Sequence, residues 1–416
     1  MIKKEILIGL IVGLIANTLG TLLYILIFSD FGIVETYQAA VQQGHIGSLL
    51  ALGAILHGSN LIKALKKQDS DADIRCWGGD LMKAAGGDLV KHYKEMAFMG
   101  FLEVISNINQ IFKNIAFCKE DISDFNPDVI VFIDYSGFNL RIASWAKKNK
   151  FRTNYYISPQ IWASREGRIH KIKNDIDAMH VILPFEKEFY EKKHHYPVNF
   201  VGHPLIDAIG DIPRTSDKKF REENNLDLQK PIIALLPGSR KQEVQKMLTL
   251  MLSVTKSFPK FQFVIAGAPS LDLEFYQPFL KSSQVSLISN KTYDLLSLSY
   301  AALVTSGTAT LETALFKIPQ VVCYRANWIS YQIAKRIITL KFISLVNLIM
   351  DKEVVKELIQ GDLNTKNLTK ELDKILNGPE RKKQFEAYYE LEKKLGGKGA
   401  SEKAATLIIQ SAQMDH

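Results

Sequence analysis

Short apolar runs alternate with amphipathic helical stretches along nearly the whole chain after His57, and no other pattern limits the choice of folds as strongly. Apolar runs of about four to eight residues between turn residues are typical of buried strands, and the stretches between them repeat apolar residues at helical spacing. Strands that alternate with helices form parallel sheets covered by helices. The sequence therefore predicts an α/β protein.

The strand-like runs fall into two series, separated by a polar stretch over residues 202–230. A chain of 416 residues can bury two cores. We predict two Rossmann-like domains, residues 57–205 and 206–379, and a charged helical segment over 380–416. The strands predicted for the first domain are Asp128–Asp134, Thr153–Ser158, Ala178–Leu183 and Val198–Val201. The elements predicted for the second are strands Ile232–Leu236, Phe261–Ala266, Val285–Ile288, Ala301–Thr305 and Gln320–Tyr324 and helices Glu243–Phe258, Tyr293–Leu298, Gly307–Phe316 and Ile329–Thr339. The apolar face predicted for the last segment consists of Phe385, Tyr389, Leu391 and Leu395.

Residues 1–56 differ in composition from the rest of the chain. The run Ile6–Phe28 is apolar and long enough to cross a bilayer as a helix, and it lacks a small-residue cleavage site. Lys3 and Lys4 precede it, which by the positive-inside rule places the N-terminus in the cytoplasm and the following chain outside. A retained transmembrane-like helix is the expectation, and a buried helix and strand of a soluble protein is the alternative.

Charge and cysteine content exclude some classes of function. The net charge of +8 is spread along the chain, which suits acidic small molecules or an anionic lipid surface; no basic stripe with interleaved aromatic residues indicates nucleic acid. Cys76, Cys118 and Cys323 lie far apart, without the spacing of a metal site, and are expected to be reduced and buried. His194 and His195 form a pair without a third ligand, so no metal is expected there.

Two loop motifs of the second domain predict a phosphate-bearing ligand. The strand before Gly238, Ser239 and Arg240 ends in a tight turn, and the strand before residues 306–312 runs into a turn of small residues that opens a helix. Both turns offer backbone N–H groups, hydroxyls and a helix N-terminus to a diphosphate, and Arg240 adds a bidentate donor. Each turn alone is equally typical of a tight connection with a helix cap.

The chain from His57 onward resembles the lipid-A-disaccharide synthase family, inverting glycosyltransferases of the two-domain GT-B type. The stretches that carry the resemblance are Leu56–Asn60, Met99–Val104, Phe132–Asp134 with Phe138 and Asn139, Ser158–Ala163, Pro184–Glu186, Phe200–Leu205, Leu236–Arg240, Ser306–Glu312 and Tyr324–Arg325. The resemblance implies transfer of 2,3-diacylglucosamine from its UDP derivative to 2,3-diacylglucosamine 1-phosphate, giving a β-1,6 disaccharide and UDP. It also implies that no metal or other cofactor takes part and that the protein works at the cytoplasmic face of the inner membrane, either peripherally or anchored by Ile6–Phe28. This location conflicts with the topology that Lys3 and Lys4 predict, so we expect the segment not to belong to the working enzyme. A homodimer is an open alternative to a monomer.

The resemblance also implies roles for individual residues. Asp134 is expected to be the base that deprotonates the attacking hydroxyl, and Arg240 to stabilise charge on the departing diphosphate. The residues expected to bind substrate are Gly238, Ser239, Ser306, Gly307, Thr308, Thr310, Glu312, Asn347 and Arg165. Structural alternatives remain: Asp134 as a helix cap, Ser239 and Arg240 as a cap and a loop ion pair, Glu312 as a first-turn acid, Asn347 as a turn residue and Arg165 as a solvated side chain.

An apolar cluster lies just before an amphipathic helical stretch of the first domain. If the cluster is not simply core, the resemblance makes it a membrane-facing patch that receives acyl chains. Its members are Met96, Phe98, Met99, Phe101, Val104 and Ile105. His203, at the predicted domain junction, is expected to be a hinge or packing residue and not a base.

The chain departs from the family at its N-terminal end. Family members have a strand and a Gly-Glu-Ala-Ser-Gly-Asp loop where this chain has residues 48–55, and Leu49–Ile55 supplies no Glu, Ser or Asp. Leu49–Ile55 has the apolarity to fill the strand position. One hypothesis is a foreign N-terminal segment on a working enzyme; the alternative is a membrane-tethered, catalytically impaired relative that binds UDP or lipid. A third, weaker hypothesis is a UDP-sugar epimerase of GT-B type, which leaves the apolar cluster and Ser158–Ala163 unexplained.

Overall fold

The structure is a computed structural model that describes residues 56–95, 108–210, 215–282, 285–326 and 341–413. Four predictions lie outside the described residues: the transmembrane-like helix Ile6–Phe28, the strand at Leu49–Ile55, the apolar cluster of residues 96–105 and the helix Ile329–Thr339. Within the described ranges, no helix combines the length and apolarity needed to cross a membrane.

The first domain contains a sheet of four parallel strands in the order β3-β4-β5-β6. A strand was predicted at each of these four positions, and Ile133 of β3 pairs with Tyr156 of β4. The four strands are β3 (Ile130–Ile133), β4 (Thr153–Tyr156), β5 (Ala178–Val181) and β6 (Asn199–Phe200).

A separate pair of parallel strands precedes this sheet and was not predicted. The strands β1 (Arg75–Gly78) and β2 (Asp88–His92) carry three charged side chains, so neither has the apolar run used to predict strands. No strand among the described residues joins β1 to β3.

The second domain contains six parallel strands in the order β12-β11-β10-β7-β8-β9. Five of the six were predicted, because β-branched and leucine residues fill strands that helices cover on both faces. The strands are β7 (Ile232–Leu236), β8 (Gln262–Gly267), β9 (Ser286–Ser289), β10 (Ser299–Thr305), β11 (Gln320–Tyr324) and β12 (Lys356–Ile359). The sixth, β12, was missed because its sequence Lys-Glu-Leu-Ile is only half apolar.

Helices cover the sheets. Those of the first domain are α1 (residues 56–68), α2 (Asp80–Ala84), α3 (Ile108–Phe125), α4 (Ser136–Lys148), α5 (Ile169–Asp175), α6 (Pro184–Glu188) and α7 (Leu205–Gly210). Those that follow are α8 (Asp217–Glu223), α9 (Lys241–Leu252), α10 (Leu273–Ser282), α11 (Thr292–Ser297), α12 (Thr308–Leu315), α13 (Leu345–Met350), α14 (Thr365–Asn377), α15 (Glu380–Lys394) and α16 (Ala400–Gln413). The stretch 202–230, predicted as a polar linker, thus contains α7 and α8.

The two C-terminal helices return to the first domain. Leu395 accepts a hydrogen bond from the His203 backbone N–H at 2.9 Å, and Asp207 accepts one from the Gly399 N–H at 2.7 Å. One buried cluster joins residues of the first sheet, the second domain and both helices: its members include Tyr156, Leu205, Leu311, Val322, Tyr388 and Ala404. Residues 380–416, predicted as a separate segment, therefore pack against both domains as far as they are described.

The apolar face predicted for α15 is partly wrong. Tyr388 is fully buried, whereas Tyr389 is 59% exposed. The buried residues of α15 are Gln384, Tyr388 and Leu391 at helical spacing, and Gln384 hydrogen-bonds the backbone of Gln320. A hydrogen-bonded glutamine at a buried position cannot be recognised from hydropathy alone.

Candidate active site

Asp134 lies directly after β3, in a backbone turn that strains two successive residues. Asp134 and Tyr135 have φ angles of 47° and 42°, in the left-handed region that non-glycine residues seldom adopt. The carbonyl oxygen of Asp134 accepts hydrogen bonds from Asn139 Nδ2 at 2.7 Å and from the Tyr155 hydroxyl at 2.5 Å. Two side chains from different elements therefore hold this turn in place.

The pKa of the Asp134 carboxyl group differs from that of an ordinary surface carboxylate. Burial raises its pKa to about 6, and a hydrogen bond from the Tyr135 backbone N–H opposes the rise. A carboxylate with a pKa near 6 is mostly ionised at neutral pH yet basic enough to accept a proton. Asp134 therefore has the protonation behaviour of a general base.

An arginine that the sequence analysis did not select lies close to this turn. Arg168 donates from Nη1 to the Ser136 hydroxyl at 2.8 Å, at the start of α4. Arg165, which was selected, lies three residues earlier with a φ of 61°, before a single 3-10 turn. The contact of Arg168 joins residues 32 positions apart, so no local signal in the sequence marks it.

The Ser158–Ala163 segment is fixed by one buried carboxylate. Glu186 is 1% exposed and accepts hydrogen bonds from the Ser158 hydroxyl at 2.7 Å and from Trp162 Nε1 at 3.2 Å. The backbone N–H groups of Ile182 and Leu183 also donate to it. Burial raises the pKa of Glu186, and these four donors oppose the rise. Two of the motifs that carry the family resemblance thus form one hydrogen-bonded unit.

The first loop of the second domain is held by the acid at its helix start. Glu243 accepts backbone hydrogen bonds from Ser239 and Arg240; burial raises its pKa, and Arg240 lowers it. Gly238 has a φ of 103°, and a Cβ there would lie 2.4 Å from Glu243 Oε2. Only glycine meets both requirements, so Gly238 and Glu243 together fix the course of the loop that carries Arg240. Sequence reasoning missed Glu243, although an acid three residues after the cap position is a known signal.

The second loop lies beside the first. Leu236 of β7 pairs with Val304 of β10, so the turns after these strands are neighbours at the same edge of the sheet. Ser306 donates its hydroxyl hydrogen to the Ile343 carbonyl at 3.0 Å. A Cβ on Gly307 would meet nothing within 4 Å, so the backbone there borders open space. Thr308 begins α12 and is partly exposed. The structure thus brings together the residues predicted to bind a diphosphate.

Thr310 and Asn347, also selected from the sequence, point into the protein. Thr310 is fully buried, and its hydroxyl donates to the Gly307 carbonyl at 2.8 Å. Asn347 is fully buried, and its amide bonds the Val355 carbonyl at 2.8 Å, Glu357 at 2.9 Å and the N–H groups of Val354 and Val355. In this arrangement both residues shape the loops, and the direct ligand contacts expected of them stay predictions that their burial does not favour.

Glu312 is a buried carboxyl group near the start of α12. Burial raises its pKa to about 7, while a hydrogen bond with the Tyr293 hydroxyl opposes the rise. Tyr293 belongs to α11 and was not selected, because nothing near it in sequence marks it as a partner of α12. Glu312 therefore titrates in the neutral range at the helix that follows the second loop.

The histidines occupy structural positions. The ring of His203 lies 6.4 Å from that of His57, and burial and this neighbour lower the pKa of His203 to about 3. His203 Nδ1 accepts the Leu205 N–H at 3.2 Å. His194 contacts Glu166 at 2.9 Å. Among the described residues, no group of three or more His, Cys, Asp or Glu side chains is arranged to hold a metal ion.

Comparison with known proteins identifies close sequence relatives. Residues 49–410 match the family model described as lipid-A-disaccharide synthetase. A lipid-A-disaccharide synthase from Coxiella burnetii is 38% identical over 326 residues, covering 77% of this chain and 86% of that protein. One from Syntrophus aciditrophicus is 38% identical over 364 residues, covering 85% of this chain and 94% of that protein.

Solved structures resemble the fold at low sequence identity. A putative UDP-N-acetylglucosamine 2-epimerase from Listeria monocytogenes superposes with a TM-score of 0.60 at 16% identity, covering 87% of this chain and 95% of that one. The UDP-GlcNAc 2-epimerase from Neisseria meningitidis bound to UDP-GlcNAc gives a TM-score of 0.54 at 15% identity, covering 86% and 96%. These similarities show the fold alone.

Proposed function

This chain belongs to the lipid-A-disaccharide synthase family and is a glycosyltransferase of lipid A biosynthesis, and from that premise we propose that its two sheets divide the reaction. The substrates are a UDP-sugar and an acceptor sugar phosphate. The four-stranded sheet, through Asp134, acts on the acceptor. The six-stranded sheet, through the loops after β7 and β10, holds the UDP part of the donor. The observation that carries the proposal is the strained turn after β3, which Asn139 and Tyr155 hold in place. This turn carries Asp134, whose pKa is raised by burial.

The finer substrate assignment is UDP-2,3-diacylglucosamine as donor and 2,3-diacylglucosamine 1-phosphate as acceptor. Asp134 removes the proton of the acceptor 6-hydroxyl as its oxygen forms a bond to the anomeric carbon of the donor. The bond from that carbon to the UDP oxygen breaks on the opposite face, so the configuration inverts and UDP departs. A positioned base contributes roughly 10²–10⁴-fold to such a step.

Charge that develops on the departing diphosphate needs preorganised donors. Arg240 supplies a guanidinium group, and the loop that carries it is fixed by Glu243. Ser239 and Thr308 supply hydroxyl groups from the two neighbouring loops, whereas Ser306 donates its hydroxyl hydrogen to the Ile343 carbonyl and fixes the second loop. The open space beside Gly307 leaves room for a phosphate against the start of α12.

Glu312 is proposed to accept hydrogen bonds from the ribose hydroxyls. An ionised carboxylate is an acceptor only and can take two hydroxyl donors. Its pKa near 7 makes this binding dependent on pH, because a protonated carboxyl group loses part of that capacity.

Membrane association and localisation at the cytoplasmic face of the inner membrane are part of the proposal. Diacylated substrates reside in a bilayer leaflet, and an aromatic strip supports a lipid-facing side of the first domain. Its members are Phe138, Trp77 and Phe117, whose neighbouring rings are 5.4–6.2 Å apart. Phe117 is 42% exposed, and Lys91 lies 6.0 Å from its ring.

The homodimer raised by the sequence is a separate proposal, which light scattering of the detergent-solubilised protein tests.

The purified full chain should release UDP and form a disaccharide 1-phosphate when both diacylated substrates are supplied. Asp128→Asn is the matched control for Asp134→Asn, because Asp128 is exposed and lies before the other end of β3. If the chain binds UDP but forms no disaccharide, and a version given the family-type strand and loop at residues 48–55 does form it, the impaired relative is the correct hypothesis.

A further inference from the structure

We propose that Tyr135 is the platform on which the sugar ring of the acceptor stacks while its hydroxyl group faces Asp134. The proposal rests on the proposed function and names a specificity-determining residue of the same site. It follows from three observations on this turn: its backbone strain, the exposure of the Tyr135 ring and the rings stacked behind it.

The Tyr135 backbone is strained at the position that caps the start of α4. A tyrosine in the left-handed region costs on the order of 1 kcal/mol relative to an allowed conformation, and Asp134 adds a second such residue. A glycine or asparagine would take this conformation more easily. Strain of this kind persists where the surroundings enforce it and tends to mark functional sites. Here Asn139 and Tyr155 enforce it through the Asp134 carbonyl.

The Tyr135 ring is held at the surface instead of in the core. The residue is 51% exposed, and its ring stacks on Phe138 with centroids 6.0 Å apart and planes inclined by 28°. Phe138 in turn stacks on Trp77 at 6.2 Å and 29°. Trp77 is fixed by a hydrogen bond from Nε1 to Asp121 Oδ2 at 2.7 Å. One side of the Tyr135 ring is thus buttressed by a rigid stack.

A sugar ring is the ligand that this arrangement fits. A pyranose presents a face of C–H groups that packs on an aromatic ring, while its hydroxyl groups remain available for hydrogen bonds. Aromatic side chains suit such a role because they offer a large, rigid apolar surface with few rotatable bonds. Tyr135 adjoins the proposed base in sequence and donates its backbone N–H to the Asp134 carboxylate. The proposal places a hydroxyl group of the stacked sugar beside that carboxylate.

The test compares Tyr135→Ala, Tyr135→Phe and Tyr135→Gly in steady-state assays of the full chain. Tyr135→Ala should raise the acceptor KM by roughly 5–20-fold, with UDP affinity within twofold of wild type. Tyr135→Phe should keep the wild-type acceptor KM, because the ring face makes the contact. Tyr135→Gly should raise the acceptor KM like Tyr135→Ala while its Tm does not fall, because glycine relieves the strain. Tyr389→Ala is the control, since Tyr389 is equally exposed but belongs to α15.

Each other outcome contradicts the proposal. An acceptor KM within twofold of wild type in Tyr135→Ala would exclude the platform. A loss in Tyr135→Phe as large as in Tyr135→Ala would assign the role to the hydroxyl group. If a deacylated acceptor abolishes the difference between Tyr135→Ala and wild type, the ring contacts an acyl chain and not the sugar. The proposed function fails separately, through absence of wild-type turnover or full activity of Asp134→Asn.

Discussion

The two candidate halves of the site are built in opposite ways. The loops after β7 and β10 are pinned from within: Glu243 holds the backbone of Ser239 and Arg240, and buried Thr310 holds Gly307. The turn after β3 instead strains Asp134 and Tyr135 and leaves an aromatic ring exposed. Backbone amides at helix starts are suited to phosphate, whereas a shaped surface of side chains is suited to a lipid-linked sugar. This difference is the one expected if, as proposed, each sheet binds one of the two substrates.

The largest expected effect is a loss of kcat without a change in nucleotide binding. Asp134→Asn should lower kcat by roughly 10²–10⁴-fold, because it removes the base without changing the side-chain volume. Asparagine also tolerates the left-handed backbone of this position. Affinity for UDP, measured by calorimetry, should stay unchanged because the other sheet holds the nucleotide. An equal loss of UDP affinity would show that the two halves do not divide the work.

A smaller effect is expected on the nucleotide side. Arg240→Ala should weaken UDP binding and slow turnover together, by about 1.5–3 kcal/mol for a lost charge-assisted contact. Calorimetry with UDP and steady-state assays provide the two values. Lys241→Ala is a suitable control, because Lys241 is the exposed neighbour of Arg240. UDP affinity equal to that of wild type would place Arg240 outside the site.

Glu312→Gln is expected to have the smallest effect on activity. It should weaken UDP binding and raise the free energy of unfolding. Glu312 has a pKa raised from 4.5 to about 7, so the folded state binds its proton more tightly than the unfolded state. Its stabilising contribution is present below pH 4.5 and is lost as the pH rises through 7, where the buried carboxylate ionises. Glu312→Gln should therefore raise the free energy of unfolding at pH 8 by on the order of 1–3 kcal/mol, and by little at pH 4.5.

Thermal unfolding at the two pH values measures this difference. The same variant should bind UDP several-fold more weakly at pH 8, because the amide replaces an anionic acceptor of ribose hydroxyls. A variant that loses stability at pH 8 would show that Glu312 is an ordinary structural acid of α12.

Much of the second domain could be predicted from sequence, and less of the first. Strands such as Ile232–Leu236 are wholly apolar, and the turns after them carry recognisable small residues, so both loops were found from local signals. The strands β1 and β2 and the contact between Arg168 and Ser136 depend on residues distant in sequence and leave no periodic trace. The exposure of Tyr135 and the burial of Thr310 and Asn347 likewise depend on packing, which residue type alone does not fix.

Parallel pH profiles of UDP affinity and of turnover test the division between the two sheets most directly. As the pH is lowered, we expect UDP affinity to decrease below about pH 7, where Glu312 becomes protonated. We expect kcat/KM for the acceptor, measured at saturating donor, to decrease below about pH 6, where Asp134 becomes protonated. Glu312→Gln should remove the protein's contribution to the pH dependence of UDP affinity. It should leave the pH dependence of kcat/KM for the acceptor unchanged. A UDP profile that is the same in Glu312→Gln as in wild type, or an acceptor profile that changes in Glu312→Gln, would contradict the account.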